Sequence, residues 1–291
     1  MTYMTKEKEY ISDDDVVIIG GSDWHPKNNS NRPNRWKIVT FILAGIMILV
    51  GLFYIGRHIF HTKEFIQTRN AKDIIAALEK PMEGKAGITF LTEEAMGVKL
   101  KIYGLKGLKA HFADTVPDYS DSTIYLVTRS SDYKIVNDSK QIIGDFIVDG
   151  EVIAKSNWRA GFMAIVDGNA QIGIDRSRLI KKHIKDNRGS MFRQMALISA
   201  GIRCNDQLVL KGKVTRCAYA RDRQNNLYFI ETVNPETLFG FADALIEYGF
   251  TDAIYITGGR QADLFYRTED GTLHGSYTDD KPHELIVWSK M

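Results

Sequence analysis

Two carboxylates, one arginine and a pair of glycines gather in the last third of the sequence. From Leu227 to Arg267 the chain reads as apolar strand, amphipathic helix and apolar strand, then Thr257-Gly258-Gly259 opening into Arg260-Gln261-Ala262-Asp263. Adjacent glycines after a strand let a ligand approach the backbone closely, and strand ends are where α/β sheets place their ligands. The same pair also suits a plain tight turn. Asp263 on this loop and Glu231 at the end of the preceding strand are the two carboxyls able to exchange protons with a substrate or to face a developing cation. Each has a structural alternative: Asp263 pairing with Arg260 or Arg267, Glu231 lying solvated on a strand edge. Arg216 carries a planar fork that fits a phosphate or carboxylate ligand and fits an internal acid equally well.

Other chemistries have less to work with. The seven histidines lack the i, i+4 spacing of a helical metal motif, so neither a metal nor another cofactor is expected. Cys204 and Cys217 flank a hairpin predicted around Lys211-Gly212, which sets Cys217 opposite Asp206 and makes the cysteines diagonal neighbours at best; no disulfide is expected. With 38 basic and 36 acidic side chains the net charge is +2, which provides no field for nucleic acid.

The elements that must position these residues are legible from Gly84 onward. Short apolar runs at 98–103, 123–128, 145–155, 161–174, 195–201, 207–210, 214–220 and 226–232 alternate with turn residues, among them Asp149-Gly150 and Asp167 to Asn169. Asn234 is placed to cap a helix with Pro235 in its first turn, a stripe of Leu238, Phe239, Phe241, Ala242, Leu245 and Ile246, and an end at Gly249. Buried strand 252–257 and closing strands 264–267 and 284–288 follow. The expected fold is α/β in the α+β sense, a mixed and largely antiparallel sheet with a few helices, over residues 84–291.

Ahead of this domain, residues 1–36 read as a polar, disordered tail, and 58–83 as a juxtamembrane helix and linker halted by Pro81. Residues 37–57 read as a transmembrane helix. From Ile38 to Gly56 nineteen residues pass without a charge, a helix about 29 Å long and enough to cross the hydrocarbon core. Trp36 and Tyr54, with Arg35 and Arg57, sit where interfacial anchors belong. Lys27, Arg32, Arg35 and Lys37 are matched by Arg57, Lys63, Arg69 and Lys72. Their tighter grouping before the span favours a cell-membrane protein with a cytoplasmic N-terminus and an extracytoplasmic domain, with the lipid bilayer as its first partner.

In its order of segments, GDFIVDGEVIAK, then FMAIVDGNAQIGI, then ALISAGIRC through DAIYITGG, the sequence resembles the phosphodiester glycosidase family over roughly 124–267. That family includes the uncovering enzyme that removes N-acetylglucosamine from a phosphodiester. The resemblance implies a carbohydrate or sugar phosphodiester as ligand, with Arg216, Thr257, Gly258, Gly259 and Asn137 binding it and Asp263 and Glu231 as catalytic candidates. It also implies a loss. Where the family has aspartate, three glycines and two serines, this chain has Thr257, Gly258, Gly259, Arg260, Gln261 and Ala262, and Asn137-Asp138-Ser139 stands in place of an Asn-Gly-Gly. A threonine hydroxyl stays neutral and holds no negative charge against a cationic transition state. The resemblance therefore implies reduced or absent hydrolysis, or a non-catalytic glycan-binding or scaffold protein of the cell envelope that keeps the fold.

Overall fold

The computed structural model describes residues 35–62, 71–82, 84–137, 139–155, 159–175, 178–204, 211–256, 265–275 and 285–290. Four helices and nineteen strands are assigned among them, and every strand pair is antiparallel, so the fold is α+β. The strands are divided over several sheets, where the sequence alone pointed to a single one.

The largest sheet has seven strands in the order β1 (Thr89–Ala95), β2 (Val98–Gly104), β15 (Leu227–Thr232), β14 (Cys217–Arg221), β16 (Asp252–Ile256), β12 (Ala196–Ser199), β13 (Ile202–Arg203). A second sheet runs β10 (Asn169–Ile174), β9 (Gly161–Val166), β11 (Ser190–Gln194), β7 (Phe146–Val148), β8 (Glu151–Ala154). A third runs β18 (Leu273–Gly275), β17 (Phe265–Arg267), β4 (Ile124–Arg129), β19 (Leu285–Ser289), β3 (Lys109–Ala113), and β5 (Tyr133–Val136) pairs alone with β6 (Ser139–Ile142). One core cluster draws Tyr103, Tyr219 and Phe229 from the first sheet, Met163 and Phe192 from the second, and Leu126 and Trp288 from the third. Within it Tyr219 Oη receives the indole N–H of Trp288 at 2.9 Å and lies 2.5 Å from Thr128 Oγ1, which ties the first sheet to the third.

Alternation along the strands decides what faces this interior. On β15, Phe229 joins the inter-sheet core while Ile230 joins the cluster under helix α4 (Leu238–Tyr248), and β14 splits the same way between Cys217 and Ala218. The two expected hairpins are present: Asp149 and Gly150 have φ of 47° and 84°, Asp167 and Gly168 have 49° and 82°, the pair of positive angles a two-residue hairpin turn demands.

Helix α4 buries Leu238, Phe241, Ala242 and Leu245 of the expected stripe, leaves Ile246 half-buried and Phe239 exposed, and ends at Gly249, but its cap is Thr237, whose Oγ1 accepts from the Gly240 N–H at 2.9 Å. The expected Asn234 cap is thereby corrected; residues 234–237 stay outside the helix because Glu236 bridges back to Val214 through paired backbone bonds. Thr237→Ala is expected to lower stability by about 1 kcal/mol, and Asn234→Ala by less than about 0.5 kcal/mol; urea unfolding of both variants checks the assignment.

Helix α2 (Ala71–Glu79) is more than a connector. It buries Ala71, Ile74 and Leu78 against the second sheet and helix α3 (Arg178–Asp186), so the packed body includes residues ahead of Gly84. Helix α1 spans Arg35–Thr62. Among the described residues no helix is long and apolar enough to cross a membrane. Phe41, Met47, Leu49, Phe53 and Tyr54 of α1 are exposed, while the side chains of Ile38 and of residues 56–62 lie outside the described residues.

Candidate functional site

The chemistry centres on the end of β15. Glu231 pairs in register with Lys101 on one side and Cys217 on the other, and Cys217 pairs in turn with Ile256, the last residue of β16. Glu231 is only 7% exposed, and its face is that of Phe229, toward the inter-sheet core. The solvated-edge alternative is thus removed. Tyr103, diagonal to it on β2, donates its phenolic O–H to Glu231 Oε2 at 2.9 Å. Burial raises the proton affinity of Glu231, opposed by the Tyr103 hydrogen bond and by the charge of Lys101. Burial, and then Glu231 itself, pushes the Tyr103 phenol far above its ordinary range, so it remains a neutral donor.

An aromatic wall leads outward from this carboxyl. The Tyr103 ring meets Tyr266 edge-on at 4.8 Å, and Tyr266 stacks on His274 at 4.9 Å and on Phe90 at 5.4 Å. Tyr266 is half-buried, and Phe90 and His274 are exposed. Exposed aromatic faces beside a buried acid offer a ligand an apolar surface with a polar group at its foot to fix its orientation.

Across β16 from Glu231 lies a second polar group. The Tyr255 N–H donates to Met195 O at 2.8 Å, which brings the end of β16 beside residues 194–195. Arg159 Nη1 donates to Gln194 Oε1 and, at 2.8 Å, to Asp132 Oδ2. Nearby, Arg193 Nε and Lys181 Nζ share Asp145, at 3.1 and 2.8 Å. Buried polar residues inside strands leave no periodic trace, and Arg159, Gln194 and Tyr103 carried no signal in the sequence that marked them.

The remaining expected site residues are dispersed. Arg216 is buried on the α4 face, donating from Nε to Glu236 O at 2.8 Å and from Nη2 to Gly212 O at 2.7 Å, with its guanidinium 6.0 Å from the Tyr255 ring. It points away from the side that holds Glu231. Asn137 sits exposed in the β5–β6 turn with φ of 49°. Thr257, Gly258, Gly259 and Asp263 lie outside the described residues.

Cys204 and Cys217 are both buried, in separate apolar clusters. The expected register of Cys217 opposite Asp206 is corrected, because Glu231 and Ile256 occupy the two ladder positions beside it. Burial and the neighbouring Glu231 raise the Cys217 thiol well above its ordinary range, which leaves it un-ionised and a poor nucleophile. Among the described residues no three His, Cys, Asp or Glu side chains could hold a metal ion. A cavity of about 370 Å³ opens at the other end of β15, lined by Thr89, Lys106, Gln171, Asn226 and Tyr228. It has no carboxylate in its lining, so the acid chemistry belongs to the Glu231 end.

No family model matches the sequence, and no curated protein does. Among solved structures the chain is similar to the catalytic domain of zebrafish N-acetylglucosamine-1-phosphodiester alpha-N-acetylglucosaminidase, auto-inhibited by its pro-peptide, at 13% identity and a TM-score of 0.48, covering 73% of this chain and 85% of that one. It is also similar to a hypothetical protein from Synechocystis, at 12% identity and a TM-score of 0.44, covering 70% of this chain and 62% of that one.

Proposed function

We propose that this chain is a single-pass membrane protein whose C-terminal domain, outside the cytoplasm, hydrolyses sugar-1-phosphodiesters or descends from enzymes that do. One observation carries the reading. Of the acids buried among the described residues, Asp145 and Asp252 each hold an arginine, whereas Glu231 is held by a neutral phenol and has its proton affinity raised. A carboxyl of raised proton affinity at the foot of an aromatic wall is suited to protonate a departing phosphate oxygen while water takes the sugar carbon. Asp263 remains the candidate for the second carboxylate. The anchor rests on the uncharged run Ile38 to Gly56, which at about 1.5 Å per residue matches the hydrocarbon thickness.

Thr257 favours a second reading, a glycan-binding protein that keeps the aromatic wall without turnover. Full-length protein in carbonate-washed membranes, supplied with a sugar-1-phosphodiester, is expected to release free sugar, and Thr257→Asp to release it faster. Recovery of the protein in the wash overturns the anchor. No release by either form, with glycan binding retained, establishes the second reading in place of the first.

A further inference from the structure

The side of β16 away from Glu231 holds two buried polar atoms without a partner among the described residues. Gln194 is fully buried, and its Oε1 accepts from Arg159 Nη1 and from the Met195 N–H at 3.3 Å. Two donors on one oxygen fix the amide's orientation, since the flipped amide sets N–H against N–H. Its Nε2 then has no partner among the described residues. Ser131 Oγ, in a residue 8% exposed, has none either. Ser131 precedes Asp132, the carboxylate that shares the same Arg159 Nη1. A buried donor without an acceptor costs about 1–3 kcal/mol, and buried polar atoms in native folds nearly always find a partner.

The setting selects the sign of that partner. Arg159 stands beside Gln194 with Asp132 on the same Nη1, while Arg193 lies on the other face of β11, its Nη1 aimed at the carbonyls of Arg159, Ala160 and Asp175 at 3.4, 3.4 and 2.5 Å, so the guanidinium that faces Gln194 is that of Arg159. An acceptor arriving among guanidinium, amide N–H and hydroxyl is held best when it is an oxyanion. Gln194 shares the inner face with Phe192, the same inter-sheet space that Glu231 faces from the opposite flank of β16.

We propose that Ser131, Arg159 and Gln194 form an oxyanion subsite that takes the phosphoryl oxygens of a phosphodiester; its identity as a diester rests on the sugar-phosphodiester reading above, and its preference for an anion does not. Gln194→Glu keeps the oxygen toward Arg159 and Met195 but replaces the unused N–H by an acceptor that repels the ligand. Ser131→Ala removes the second donor with little change in volume.

The test is calorimetric titration of full-length protein in detergent with dimethyl phosphate, and with acetate as a second monoanion. Dimethyl phosphate is expected to bind the natural protein, about 10- to 100-fold more weakly after Gln194→Glu and about tenfold more weakly after Ser131→Ala. Unchanged affinity in both variants, or no binding by the natural protein, overturns the subsite; acetate bound as tightly overturns the phosphoryl assignment. Sugar release on the same samples separates the two ideas. Diester binding that is lost in the variants, with no sample releasing sugar, upholds the subsite and removes the glycosidase. Release with an unchanged KM in Gln194→Glu does the reverse.

Discussion

Glu231→Gln is expected to lower sugar release about 10²- to 10⁴-fold, the usual loss when a proton-transferring side chain is removed. The amide keeps the shape and still accepts the Tyr103 O–H, so binding on the aromatic wall persists and the loss falls on kcat. Stability moves the other way with pH. Because the folded protein holds the Glu231 proton more tightly than an unfolded chain does, the folded state binds more protons once pH passes the unfolded carboxyl's range. Stability of the natural protein therefore falls as pH rises from that range through the raised folded value, and stays lower above it. The glutamine variant lacks this decline. Urea unfolding across pH for both proteins checks the sign, and parallel curves would show that Glu231 carries no raised affinity.

The largest structural effect is expected at Asp252, which is 1% exposed at the start of β16. It accepts from Arg221 Nη2, from Thr251 Oγ1 at 3.2 Å and from the Ala200 N–H at 3.3 Å. Asp252→Ala strands a buried guanidinium whose remaining side-chain acceptor is Asn225 Oδ1. Removing one partner of a buried ion pair costs about 3–5 kcal/mol. Replacing both, as Arg221→Met with Asp252→Leu, is expected to recover most of that loss, because the desolvation of the two charges is removed along with their attraction. Thermal unfolding of the single and double variants measures the coupling; additive losses would refute it.

The two Asp-Gly hairpins and the stripe of α4 were legible because their signals are local: positive φ at adjacent positions, and apolar spacing at the helical period. The α4 cap was misplaced because Asn234-Pro235 presents a cap signature as good as that of Thr237, and the choice is made by the pairing of Glu236 with Val214, which no local rule contains. Strands such as β1 and β11 were not expected, since Thr89–Ala95 reads as polar and Ser190–Gln194 interrupts its apolar run with arginine and glutamine. At the site, Glu231 was visible as a carboxyl at a strand end. Its burial and its bond to Tyr103, 128 residues away in sequence, depend on how the sheet closes. Arg216 was singled out for its type, yet its fork is spent on two main-chain carbonyls of the loops beside it.

The seven-stranded sheet ends on one side in β13, two residues long, and on the other in β1, where Glu93 and Glu94 stand exposed. A bare β edge recruits matching edges from other molecules, and short length or negative charge blunts that recruitment. Copies crowded side by side on one surface would thus repel edge against edge instead of zipping into a fibre, and each would keep its aromatic wall available.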